Sequence, residues 1–110
     1  MTIWAKISFE FEGTHRWKKA PAKVNFLKYP HRHIFKCVVW IEQQPEKDRD
    51  VEYIQVKEIL NKMSGAFHKN IDESCETMAL NILGFLSNQF PNRKYKIEVT
   101  EDGENGAFIE

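Results

Sequence analysis

The segment KYPHRHIFKCVVWI, residues 28–41, decides the fold prediction because a pair of histidines leads into a strand-forming apolar run. Every second position of that run is apolar, namely Phe35, Cys37, Val39 and Ile41. This alternation predicts a β-strand over residues 31–43 whose odd-numbered side chains face a core. His31 and His33 have the same parity as the core positions, so both imidazoles project from that face.

A second strand is predicted before this one. The odd positions of residues 3–11 are apolar, namely Ile3, Ala5, Ile7, Phe9 and Phe11. The even positions are mostly polar, so this strand also buries its odd-numbered face. His15 follows just past its end, on the way into the connection to residues 28–41.

Two amphipathic helices are predicted after the polar break EQQPEKDRD, residues 42–50. Apolar residues recur at helical spacing in the first helix, at Tyr53, Val56, Ile59, Leu60 and Met63, and Gly65 stands where a C-terminal cap would lie. The apolar face of the second helix consists of Met78, Ala79, Ile82, Leu83 and Leu86. Ser74 is its predicted N-cap, and Pro91 ends it.

The chain closes with two more predicted strands, KYKIEVTE and AFIE, separated by the turn DGENG. The order ββααββ, with adjacent strands joined by turns, predicts an α+β fold. We expect a four-stranded antiparallel sheet with both helices packed on one face.

Composition narrows the class of protein. The 110 residues predict one domain, 1–110, and the 16 basic and 16 acidic residues give no basic excess for nucleic-acid binding. No apolar run is long enough to span a bilayer, which argues against a membrane partner. Two cysteines and no apolar leader favour a reducing, cytoplasmic location. Cys37, in the middle of a strand, is predicted to be a core residue.

The histidines form the first candidate site. His31 and His33 project to one side of their strand, and His15 can reach the same point across the hairpin. Three neutral imidazoles with an open fourth position are the ligand pattern of a catalytic zinc site. The spacing alone leaves open the alternative of hydrogen-bonded histidines at the end of a strand.

Glu101 is the second unusual residue, because it continues the core-facing row Tyr95, Ile97 and Val99. A carboxylate in that row can form the floor of a pocket and accept two N–H groups from a pterin or guanine-like ring. The alternative is that the strand ends at Thr100 and that Glu101 turns into solvent.

Together these motifs resemble the 6-pyruvoyl-tetrahydropterin synthase and 6-carboxy-tetrahydropterin synthase family over nearly the whole chain. The family's two zinc elements, Phe-x-x-x-His and His-Gly-His, are similar to FEGTH (11–15) and HRH (31–33). Its Asp-Phe-x-x-Leu-Lys segment is similar to EYIQVK (52–57). Its Thr-x-Glu and Val-x-Glu-Thr signatures are similar to SCE (74–76) and VTED (99–102).

The resemblance implies a tunnelling fold, in which strands pair between subunits to close a homo-oligomeric ring such as a hexamer. It implies Zn²⁺ on the three histidines, Glu101 as the anchor of a reduced pterin such as dihydroneopterin triphosphate, and Ser74 and Glu76 beside that substrate. The implied activity is that of a zinc-dependent synthase or lyase.

Two residues of the family's proton-transfer set are missing. No cysteine lies between His15 and His33, and Phe67 stands where an aspartate precedes the histidine that matches His68. His68 and Cys75 are therefore the candidate proton carriers. Cys75 lies near a helix N-terminus, where the dipole favours thiolate, although a packing role for this small residue is the alternative.

Two functions follow from these departures. The leading one is a zinc-dependent pterin synthase or lyase. The other is a pterin- or purine-binding relative, for example in deazapurine metabolism, that lost or changed the chemistry. The basic loop over residues 16–30 could hold a phosphate group of the substrate or could be a solvated surface loop.

Overall fold

The computed structural model describes every residue, 1–110. The strands are β1 (Trp4–His15), β2 (His31–Glu42), β3 (Tyr95–Glu101) and β4 (Asn105–Ile109), and the helices are α1 (Tyr53–Phe67) and α2 (Cys75–Gln89), both between β2 and β3. A short 3-10 segment, Ala22–Lys28, lies in the β1–β2 connection. The sheet order is β1-β2-β3-β4, and all neighbours are antiparallel. The predicted ββααββ order and four-stranded antiparallel sheet are confirmed.

β1 is longer than the sequence predicts. The prediction ended this strand at Phe11 and placed His15 beyond it, whereas the ladder with β2 continues through Gly13, opposite His33, to His15, opposite His31. Each residue from 12 to 15 has a partner on β2. His15 is therefore held in register with the two histidines of β2.

The core lies between one face of the sheet and the two helices. Its largest fully buried side chains include Phe35, Val39, Ile41, Ile97 and Val99 from the sheet and Val56, Leu60, Met78, Ile82 and Leu86 from the helices. The predicted inward faces of β1 and β2 are buried, with one exception at the first position. Ile3 is 46 % exposed because β1 begins only at Trp4.

Helix α1 begins at the predicted residue, Tyr53, but runs past its predicted end. It begins after Glu52, whose carboxylate accepts the N–H groups of Ile54 and Gln55, and it runs through Gly65 to Phe67. The predicted cap at Gly65 is therefore wrong. Tyr53 is exposed, so the predicted apolar stripe begins one turn too early.

Helix α2 follows its prediction closely. The Ser74 hydroxyl accepts the N–H of Thr77 at 3.1 Å, as an N-cap does. The predicted apolar positions are buried except for Leu83, which is half-buried against the core. No helix in the protein has both the length and the apolar character that a membrane crossing needs.

The β3–β4 turn reaches back to the start of β2. Asp102 and Gly103 adopt positive φ angles of 57° and 80°. In this turn the Asp102 N–H donates to the Ile34 carbonyl at 2.8 Å. The last hairpin is thereby joined to the strand that carries two of the histidines.

Candidate metal centre

Three histidines and one glutamate meet where β1 ends and β2 begins. His15 is opposite His31 in the ladder, His33 lies two residues further along β2, and Glu101 is opposite Phe35 from the other side. One ligand atom from each of His15, His31, His33 and Glu101 lies within 4.8 Å of all the others. The structure thus brings the three predicted metal ligands together and adds Glu101 to them. This group could hold a metal ion.

Backbone carbonyls orient two of the imidazoles. The Nδ1 atom of His15 lies 2.8 Å from the Glu73 carbonyl oxygen, and the Nδ1 atom of His31 lies 2.9 Å from the Tyr29 carbonyl oxygen. A carbonyl oxygen can only accept, so each Nδ1 carries the proton. In the neutral ring, this leaves the lone pair on Nε2 as the ligand atom.

A carboxylate orients the third imidazole. The Nδ1 atom of His33 donates to the Asp102 carboxylate at 2.7 Å. The other oxygen of that carboxylate accepts the Ile34 N–H at 2.9 Å. These two hydrogen bonds, the Ile34 N–H first, hold the pKa of Asp102 below its usual range. All three rings therefore present Nε2, the atom that the tautomer leaves free to bind a cation.

Glu101 contacts the free nitrogens directly. Its Oε2 atom lies 2.7 Å from Nε2 of His15 and 3.1 Å from Nε2 of His33. A nitrogen lone pair and a carboxylate oxygen repel each other at such distances unless a proton or a cation is shared between them. The Nδ1–H tautomers therefore create a place for positive charge. Nitrogen and oxygen donors of this kind suit Zn²⁺ and other first-row divalent metals.

A cavity of about 560 Å³ opens beside the four residues. His15, His31 and Glu101 form part of its wall, and so do the predicted residues Ser74, Cys75 and Glu76. The other lining residues are Arg16, Trp17, Leu27, Asp72, Glu73 and Gly106. The segment that opens α2 thus lies next to the four candidate metal ligands.

The two polar residues that flank Cys75 are used differently. The Ser74 hydroxyl caps α2, and it contacts both the backbone N–H and the hydroxyl of Thr77. Glu76 forms no hydrogen bond or ion pair with any other residue, so its carboxylate is free to accept a donor from a ligand in the cavity.

Cys75 is buried in the core cluster, in keeping with the packing role given as the alternative to a reactive thiolate. The helix dipole was expected to favour thiolate, but burial and then the nearby charges of Glu101 and Glu76 raise the pKa of the Cys75 thiol to about 12. The side chain is 7 % exposed and belongs to the core cluster. At neutral pH it is therefore a protonated thiol. Cys37 is buried as predicted, and burial likewise raises its pKa to about 12.

His68 lies behind the cavity wall and does not line it. Its Nε2 atom donates to the Thr14 carbonyl at 2.6 Å. Its Nδ1 atom is buried without a hydrogen-bond partner, and the nearest acidic group is the Glu73 carboxylate at 3.7 Å. Phe67 is buried in the core. Glu73 thus supplies the carboxylate next to His68 that the sequence did not show.

Sequence reasoning missed three groups that hold the rings, namely the Tyr29 and Glu73 carbonyls and the Asp102 carboxylate. The sequence cannot indicate which backbone carbonyls accept these hydrogen bonds, because every residue has one. Asp102 did leave a signal, since two acids in succession close the predicted strand in VTED. An acid beside a predicted pocket residue, in a turn next to a histidine pair, is a candidate ring partner.

The basic loop is only partly free to bind an anion. Arg16 donates to Asp72 at 2.9 Å, and Lys18 lies 3.7 Å from the same carboxylate. Lys19, Lys23 and Lys28 form no ion pair. The backbone N–H of Trp17 donates to the Leu27 carbonyl at 2.7 Å, which joins two parts of this loop, and both residues line the cavity.

The chain matches no known protein-family model, and no curated protein matches it in sequence. The resemblance to the tetrahydropterin synthases therefore rests on the quoted motifs, and the function has to be argued from the site itself.

Proposed function

We propose that the protein binds Zn²⁺ on His15, His31 and His33 and acts as a synthase or lyase on a reduced pterin, such as dihydroneopterin triphosphate. One observation carries the proposal. Three imidazoles, each with its Nδ1 atom bonded to an outer oxygen, direct Nε2 toward one point at the wall of a cavity. Metal-ligating histidines commonly donate their other ring N–H to a carbonyl or carboxylate in this way.

A bound zinc ion would polarise a hydroxyl or carbonyl oxygen on the side chain of the substrate. The residues of this chain hold the ring in place. Glu101 accepts N–H groups of the pterin, and Glu76 is a second free acceptor on the same wall. Trp17 and Leu27 offer an apolar surface for the flat ring. A volume of about 560 Å³ is within the range of small-molecule sites.

Proton transfer is the least complete part of the site. Cys75 lines the cavity as a thiol, and its raised pKa makes it a weak proton donor and leaves little of the thiolate, the form that could act as a base, at neutral pH. His68 is separated from the cavity and bonded to Thr14. These two observations favour a second candidate function, a pterin- or purine-binding protein that retained the pocket without the family's chemistry.

The proposal is tested by loading the protein with Zn²⁺ and titrating it with sepiapterin in a calorimeter. We expect one zinc per chain in the wild type and loss of most zinc in His31→Ala. Glu101→Gln should retain zinc but bind the pterin more weakly by about 2–4 kcal/mol, because its amide presents a donor to the ring's N–H groups. Glu104→Gln, in the neighbouring turn, is the matched control and should match the wild type.

Two results would contradict the proposal. Wild-type protein purified without chelator that holds no stoichiometric divalent metal would remove the zinc site. Equal pterin affinity of the wild type and Glu101→Gln would remove Glu101 as the ring anchor. Incubation with dihydroneopterin triphosphate then separates the two functions, since only a synthase or lyase of this class releases triphosphate.

A further inference from the structure

Asp102 makes three hydrogen bonds to two consecutive residues of β2. Its carboxylate accepts from Nδ1 of His33 at 2.7 Å and from the Ile34 N–H at 2.9 Å. Its own N–H donates to the Ile34 carbonyl at 2.8 Å. Each carboxylate oxygen therefore has a different partner, and the side chain cannot rotate without losing one of them.

The backbone of Asp102 adds to this constraint. Its φ angle of 57° lies in the left-handed region, which aspartate and asparagine tolerate better than most other residues. The following Gly103, at φ 80°, completes the turn. The turn thus places a short acidic side chain directly against His33. A longer acid in the same place would overshoot the ring.

We propose that Asp102 is a positioning residue of the metal centre, which fixes the His33 ring with Nε2 toward the ion and strengthens that nitrogen as a ligand. The inference rests on the metal site of the proposed function. A carboxylate that accepts the Nδ1–H of a ligating imidazole fixes its tautomer and raises the basicity of Nε2. The Nδ1–H groups of His15 and His31 donate to neutral backbone carbonyls. His33 is therefore the one ring of the three whose Nδ1–H donates to a carboxylate.

Asp102→Asn tests this role with little disturbance of the turn. Asparagine accepts the left-handed backbone, and its carbonyl can keep the Ile34 N–H bond. Its NH₂ group then faces the Nδ1–H of His33, donor against donor. We expect zinc affinity, measured by competition with a chromophoric chelator, to fall by about 10–100-fold. Glu104→Gln, a carboxylate of the same turn without a side-chain partner, should stay within about twofold of the wild type.

A double-mutant cycle shows whether the effect passes through His33. In a His33→Ala background, Asp102→Asn should change zinc affinity by less than about threefold, because the ring it holds is gone. The visible absorption of the Co²⁺-loaded protein should shift in Asp102→Asn and stay unchanged in Glu104→Gln. Melting of the metal-free proteins records any loss of stability separately.

Three outcomes would overturn the inference. Zinc affinity of Asp102→Asn within threefold of the wild type would show that the carboxylate does not support the metal. An equal loss with and without His33 would show that Asp102 acts only through the turn. A wild type that binds no zinc would overturn the proposed function as well, whereas the first two results leave that function standing.

Discussion

Gly106 shows how closely the last hairpin is packed. A Cβ atom built on this residue would lie 1.9 Å from the Val99 carbonyl oxygen and 2.6 Å from the Thr100 Cα atom. Both neighbours are backbone atoms, so no side-chain rotation can relieve the clash. Glycine is therefore needed here for the close approach of β4 to β3.

We predict that Gly106→Ala destabilises the protein by about 1–3 kcal/mol, because β4 must move away from β3. Urea unfolding followed by circular dichroism measures the change. Gly84→Ala is the matched control. A Cβ at Gly84 meets no atom within 4 Å, so this change in the interior of α2 should stabilise the protein by about 0.5–1 kcal/mol. Equal effects of the two substitutions would show that the close approach is not a constraint.

Single residues also show how far the sequence could predict the site. Alternation along the strands was enough to place His31, His33 and Glu101 on one face, and the register then brought His15 to them. The raised pKa of Cys75 could not be predicted, since it depends on burial and on the distances to two carboxylates. Helix position alone suggested the opposite sign.

At the scale of elements, an ion pair joins the segment before α1 to the segment before β3. The Asp50 carboxylate is 3 % exposed and accepts from Arg93 at 2.5 Å, and it also accepts the Gln44 N–H. Arg93 donates to the Glu42 carbonyl as well. The hydrogen bond from Arg93, followed by that from Gln44, lowers the pKa of Asp50 to about 2.

The sign of the resulting pH dependence follows from this shift. The pKa is lower in the folded protein than the usual unfolded value of about 3.9, so the contribution of Asp50 to stability is complete above that value. It is lost as the pH falls from about 4 toward 2. We predict that Asp50→Asn is less stable than the wild type at pH 7 and that the gap narrows across this window.

Thermal melts between pH 7 and 2 measure the effect. Asp48→Asn is the control, because Asp48 is exposed and forms no hydrogen bond or ion pair. A gap between the wild type and Asp50→Asn that stays constant down to pH 2 would contradict the assignment. Subtracting the pH–stability curve of Asp50→Asn from that of the wild type removes the contributions of the other carboxylates, because they titrate in both proteins.

The sequence predicted the order of the helices and strands better than it predicted the residues at which they end. The spacing of apolar residues identified the helices and the strands, because burying one face of an element imposes that spacing. The end of α1 was wrong because glycine can continue a helix where nothing else stops it, and Gly65 has open space around it. The end of β1 was wrong because the apolar alternation stops at Phe11, whereas backbone pairing with β2 continues to His15.

The whole molecule has two open sheet edges. β1 and β4 each have a neighbour on one side only. β1 spans twelve residues, long for an edge strand, and it exposes a row of backbone groups that can pair with another chain. The family resemblance implies a homo-oligomeric ring, and we predict that the β1 and β4 edges of adjacent subunits pair in it.

Light scattering after size-exclusion chromatography tests this assembly. We expect a mass several times that of one chain, unchanged on dilution to micromolar concentration. A monomer at that concentration would contradict the ring.

The contact between His15 and Glu101 joins residues that are 86 positions apart. Closing so long a loop costs conformational entropy, although the penalty grows only with the logarithm of loop length. An ion that binds only the folded site lowers the free energy of the folded state in proportion to the logarithm of its concentration over its dissociation constant. A cation held by His15, His31, His33 and Glu101 together would therefore make the stability of the folded chain depend on the supply of that cation.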